Sequence, residues 1–178
     1  MPGERKPEKY QFEHVKQIAH ETTLRSGHHI PLLIVQGSRG ALMASPTELP
    51  STPEGRQLLL WRMGFELSSD GHIGELEEIF YISEAWMSTG EQDDPPANPP
   101  STDPKRKEIL LIASQRTDAD QAQVAIFEMV RGDQEQLINL EEIVFPTSEE
   151  EGQTKSQFLE RFIAGFQEGR QIRAAQLN

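Results

Sequence analysis

With no cysteine in the chain, the side chains that could carry chemistry are histidines, carboxylates and a few serines. The absence removes disulfides, thiolate nucleophiles, iron–sulfur clusters and cysteine-based zinc sites together. It also fits a reducing compartment. The histidines are His14, His20, His28, His29 and His72. The stretch HETTLRSGHH opens like the zinc-protease helix H-E-x-x-H, but Leu24 stands where the second histidine is needed. His14 and His20 fall roughly 120° apart around a helix, so they do not converge. Glu13 with His20, or His14 with Glu21, share a face but lie two turns apart, too far for one ion. No metal is expected.

Carboxylates are plentiful but poorly spaced for a site. TDADQAQVAIFE supplies the first two ligands of a calcium loop and lacks its glycine. Adjacent glutamates, as at 77–78 and 141–142, point to opposite faces of a strand and cannot grip one substrate. QGSRGA has the glycines of a phosphate loop but neither the lysine nor a following helix, whose N-terminus would stabilise the anion. It reads as a hairpin turn. There is no G-x-S-x-G, and Ser83, Ser88 and Ser114 have no base or orienting acid that spacing could assign. No catalytic residue and no cofactor are expected.

One constellation survives. In FYISEAW, strand alternation puts Phe80, Ile82, Glu84 and Trp86 on one face. If Phe80 and Ile82 pack beneath a helix, Glu84 is drawn toward the same layer and needs a partner. Arg56, Arg62, Lys105 or Arg106 could supply it. The dense basic cluster Lys105, Arg106, Lys107 closes the excursion that begins at Trp86. Residues 88–106 form a long acidic loop, with Pro95, Pro96, Pro99, Pro100 and Pro104 favouring extended backbone. Glu84, Trp86, Lys105, Arg106 and Lys107 are therefore the candidate residues for binding a ligand or partner.

The elements that must position them follow from periodicity. Residues from about Lys9 to Arg25 predict a helix with Phe12, Val15, Ile18, Ala19 and Thr22 on one side, closed by Gly27. IPLLIVQ and ALMAS predict a hairpin across GSRG. Thr52, Pro53 and Glu54 start a second helix, apolar enough to be mostly buried. Four strands follow: ELEEIFYISEAW, KEILLIASQ, QVAIFEMVR and QLINLEEIVF, the middle two apolar on both faces as central strands are. TDADQ and GDQE join hairpin neighbours. The last helix places Phe158, Leu159, Phe162, Ile163 and Phe166 on its core face, with Thr154 and Gln157 as a capping box.

The order α-β-β-α-β-β-β-β-α implies one α+β domain over residues 1–178: a largely antiparallel sheet of about six strands with helices packed on it. Its 178 residues suffice for one core and fall short of two. The charged N-terminus has no apolar signal region, and the longest aliphatic run, IPLLIV, is far too short to span a bilayer. A cytoplasmic location and no membrane are expected. Net charge is −12, with no lysine or arginine from Met63 to Pro104 or from Gly132 to Thr154, a field that repels phosphate backbones. The leading expectation is a non-enzymatic protein-interaction or regulatory module, partnered by another protein or by itself as a homodimer. The alternative is an enzyme or small-ligand binder with a pocket at the Glu84/Trp86 rim, gated by the 88–106 loop.

Overall fold

A computed structural model of the chain describes residues 9–88, 102–144 and 157–176. Three helices, α1 (Phe12–Ser26), α2 (Pro53–Leu67) and α3 (Gln157–Gln176), accompany six strands. The strands are β1 (Leu32–Gly37), β2 (Ala41–Ala44), β3 (Leu76–Met87), β4 (Lys107–Arg116), β5 (Gln123–Arg131) and β6 (Leu137–Glu142). They form one sheet in the order β2-β1-β3-β4-β5-β6, antiparallel throughout. Four of its five pairings join strands that are consecutive in the chain, three of them across short turns and β3–β4 across residues 88–106. The fifth, β1 with β3, is made across α2.

The two faces carry separate cores. On one, Phe12, Val15 and Ala19 of α1 pack against Ile34, Phe80, Ile82, Leu110, Ile112 and Phe127. On the other, Leu60 of α2 and Leu159, Phe162 and Phe166 of α3 pack against Leu33, Val35, Ile79, Tyr81 and Ala113. The alternation read from FYIS is thus real, with Phe80 and Ile82 under α1 and Ile79 and Tyr81 under α2 and α3.

Helix details depart from expectation. α1 begins at Phe12, and its buried stripe is Phe12, Val15, Ala19, Thr23, so Ile18 is left 47% exposed and Thr22 faces water. α2 is not mostly buried: Leu60 and Gly64 are, while Leu58 is 65% exposed and Trp61 stacks on Phe65 at 5.3 Å. The reason is its partner. α2 packs chiefly on α3 rather than deep into the sheet. Glycines set that seam, because a Cβ on Gly64 would meet the Phe162 carbonyl at 2.2 Å and one on Gly165 the Trp61 carbonyl at 2.0 Å. Thr52 caps α2 as expected, accepting from the Gly55 N–H at 3.1 Å. The proposed Thr154 cap and most of the 88–106 loop lie outside the described residues.

Candidate functional site

Register brings the candidate residues to one end of the sheet. Glu84 lies opposite Leu110, Trp86 opposite Glu108, and Met87 opposite Lys107. Glu84 does reach toward α1, but none of the four expected cations meets it. Its carboxylate accepts the backbone N–H of His29 at 2.5 Å, just past the left-handed Gly27 that ends the helix. It therefore pins the α1–β1 connection. Of the four cations, Arg56 donates to the carbonyls of Pro50 and Ser51, and Arg62 pairs with Glu66. The Arg106 guanidinium sits 4.3 Å over the Trp86 ring, which is 45% exposed. Lys105 is exposed, its N–H held by Asp103 at 2.8 Å.

Lys107 is one residue out of phase with Glu108, so it points to the opposite face, where it pairs with Glu128 at 2.6 Å. The candidates are thus brought to one end but divided between two sides. Arg131 and Glu108 escaped the sequence reading. Arg131 grips Glu108 with two bonds of 2.5 and 2.7 Å and also donates to the carbonyls of Gly27 and Glu135. The Glu108 bonds, aided by the fields of Glu84 and Glu135, raise the Arg131 pKa above its ordinary value. The signal was available: both charges sit at the same end of the β4–β5 hairpin. The rim is therefore closed by its own pairs.

A concavity of about 570 Å³ lies at the other end of the sheet, under the start of α1. Gln36, Glu78 and Arg116 form its floor as one cross-strand row. Buried Gln36 clamps the entry to α1, accepting from Tyr10 N–H at 2.6 Å and donating back to its carbonyl at 3.3 Å. Arg116 turns away to a bidentate contact with Asp118, both bonds 2.8 Å. Burial pushes the Glu78 carboxyl above the ordinary range, against the opposing pull of the Ser114 hydroxyl and Arg116. No histidine or serine hydroxyl in this lining stands ready as a nucleophile or second acid–base group. No group of three or more histidines and carboxylates able to hold a metal occurs among the described residues.

The third feature is a face. α3 packs on β3 and β4, and among the described residues neither α2 nor α3 makes a comparable contact with β5 or β6. On that side Leu111, Ile126 and Ile143 form a half-buried cross-strand row that belongs to neither core and adjoins Val124, which is 38% exposed; Glu128, paired with Lys107, and Glu141 separate this row from half-buried Val130. β5 was expected to be covered on both faces; among the described residues a helix packs on one. On this side lies β6, whose outer edge pairs with no strand among the described residues.

The fold and this surface define an α+β domain with one helix on one face of an antiparallel sheet and a helix pair on part of the other. Comparison with protein-family models, curated proteins and solved structures gives no match. No helix among the described residues is long and apolar enough to cross a membrane.

Proposed function

We propose that this chain is a non-enzymatic protein-interaction module of the cytoplasm that works as a homodimer. The observation that carries the reading is the half-buried apolar row Leu111, Ile126 and Ile143 with exposed Val124, which lies outside both cores. Apolar surface beside a strand edge that pairs with no other strand among the described residues is a place for a contact. Supporting this, the Glu84/Trp86 rim is occupied by internal hydrogen bonds and ion pairs, so a ligand pocket gated by residues 88–106 has less to rest on. Several cations on the terminal helices are also engaged within the chain: Lys16 with Glu142, Arg170 with Glu75, and Arg173 with the Phe65 carbonyl. Steering by those helices is weaker than charge counting suggests, and the apolar row becomes the main source of affinity. The charge of −12 makes nucleic acid a poor partner.

Sedimentation velocity over a dilution series tests the reading. A dimer at tens of micromolar that dissociates on dilution is the expected result. A monomer at every concentration would overturn it.

A further inference from the structure

We infer that the concavity under the start of α1 is a binding site for a small organic cation, a guanidinium on a short aliphatic stem, held by Glu78. This goes beyond the self-association reading and does not depend on it.

The sheet changes character beneath the entry to α1. On the α1 face Ile34, Phe80, Ile112 and Ala125 belong to the core. One step along the same four strands, on the same face, stand Gln36, Glu78, Ser114 and Gln123. Gln36 and Ser114 are buried and Glu78 is half-buried. A sheet selected for stability alone would carry the apolar rows further. Places where a sequence breaks such a pattern are where function is expected.

The carboxylate in the middle of this row is left to an outside partner. Arg116 stands directly opposite Glu78 in the strand register and is its natural cation. Yet Asp118 draws it off, taking its Nε and Nη2 donors, both at 2.8 Å. Lys9, the other cation of the lining, goes to Glu77. Those two pairs cancel. Among the described residues Glu78 makes no ion pair, and neither does exposed Glu13 on the first turn of α1. Four carboxylates against two cations leave the lining with a net charge of −2, around a concavity of about 570 Å³. That volume is in the range of small-molecule sites.

The chemistry selects a guanidinium over an ammonium. A guanidinium is planar, gives up water more readily, and forks onto a carboxylate with two parallel bonds. Half-buried Glu78 offers such a carboxylate, and the Ser114 hydroxyl and Gln123 carboxamide, 3.4 Å apart, accept the remaining donors. A second cationic group on the stem is favoured by the charge of Glu13. Binding supplies the counter-ion that Glu78 lacks, so it should also loosen the proton that burial makes Glu78 hold.

Agmatine tests the site, with putrescine as the ammonium analogue on the same stem, by NMR titration of the full chain. Saturable shifts should centre on the amides of Tyr10, Gln36, Glu78 and Gln123, with agmatine about threefold or more tighter than putrescine. The Glu78 carboxyl should titrate lower in the saturated protein. Glu78→Gln, which keeps the shape, should weaken agmatine about tenfold, whereas Glu66→Gln on α2 should leave it unchanged. Asp118→Asn releases Arg116 to Glu78 and should weaken agmatine as well; unchanged affinity there overturns the diversion of Arg116. Arg5 of the same chain carries the same group. Saturable binding to the unaltered chain assigns the site to a free ligand, and binding only to Arg5→Ser assigns it to the chain's own guanidinium. No saturable binding to either chain, or equal binding to Glu78→Gln, overturns the site. Putrescine binding as tightly as agmatine overturns the guanidinium.

Discussion

Replacing Gly165 by alanine separates two opposed effects. Local helix energetics favour the change, because glycine in a helix interior costs about 1 kcal/mol relative to alanine. Packing opposes it. The added Cβ would lie 2.0 Å from the Trp61 carbonyl oxygen and 2.8 Å from its carbonyl carbon, where ordinary contact begins at 3.4 Å. Both atoms are backbone, so no side-chain rotation relieves the overlap, and α2 and α3 must part by on the order of 1 Å.

That separation loosens Leu60, Phe162 and Phe166, all essentially without solvent exposure. Overpacking of this kind costs about 1–3 kcal/mol, and a rigid backbone contact puts it at the upper end. Net destabilisation is therefore about 1–2 kcal/mol, or roughly 2–8 °C in Tm for a chain of this size. Urea unfolding followed by far-UV circular dichroism should show a lower midpoint with an unchanged slope. Gly71→Ala, where a Cβ meets nothing within 4 Å, is the control and should stay within about 0.5 kcal/mol of wild type. A Gly165→Ala protein as stable as wild type, or more so, would refute the close seam.

Two further outcomes follow from the charged groups. Burial makes folded Glu78 bind its proton more tightly than the unfolded chain does, so stability falls as pH rises from the ordinary carboxylate range through its raised value, and the loss stays constant above it. Glu78→Gln should raise the urea midpoint at neutral pH, with the gain vanishing below the ordinary carboxylate range; a loss at neutral pH, or a gain that grows in acid, would contradict this. Arg131→Met should cost about 1–3 kcal/mol, between the values for an exposed and a fully buried pair, because Glu108 loses both of its bonds. A double-mutant cycle with Glu108→Gln reads the coupling, and an interaction below about 0.3 kcal/mol would show that the pair is ornamental.

What the sequence made legible was local. Element order, the turns at GSRG, TDADQ and GDQE, and the two faces of FYIS rest on short-range periodicity and glycine chemistry, and they survive in the fold. The β1–β3 pairing is made across α2, and nothing local encodes it. Ile18 and Thr22 were placed inward because a helical stripe read in steps of three drifts from the true Phe12, Val15, Ala19, Thr23 path. The Glu84 partner was missed for a different reason: it is a backbone N–H, which every residue but proline carries and no pattern marks. Arg131 and Glu108 are 23 positions apart and meet only through strand register. Lys107 was grouped with Trp86 because it belongs to the basic cluster that closes the excursion begun there, although their register puts them on opposite sides.

The glycine seam and the apolar row outside both cores have one cause. Six strands at about 4.8 Å spacing make a sheet roughly 24 Å wide between its outer axes. Two helices at the usual 8–10 Å separation, each about 10 Å across, cover at most about 20 Å of it. Gly64, Gly165 and Gly169 draw α2 and α3 closer than that, so the cover narrows further. Leu60, Leu159 and Phe162 anchor the pair in the core built on Leu33, Val35, Ile79 and Ala113, so the deficit falls at the β5–β6 end. α1 offers no remedy, because it lies on the other face. Bulkier residues along the seam would push α3 toward β5 and begin to cover the row, and a dimer that depends on that row should then weaken in step with the seam.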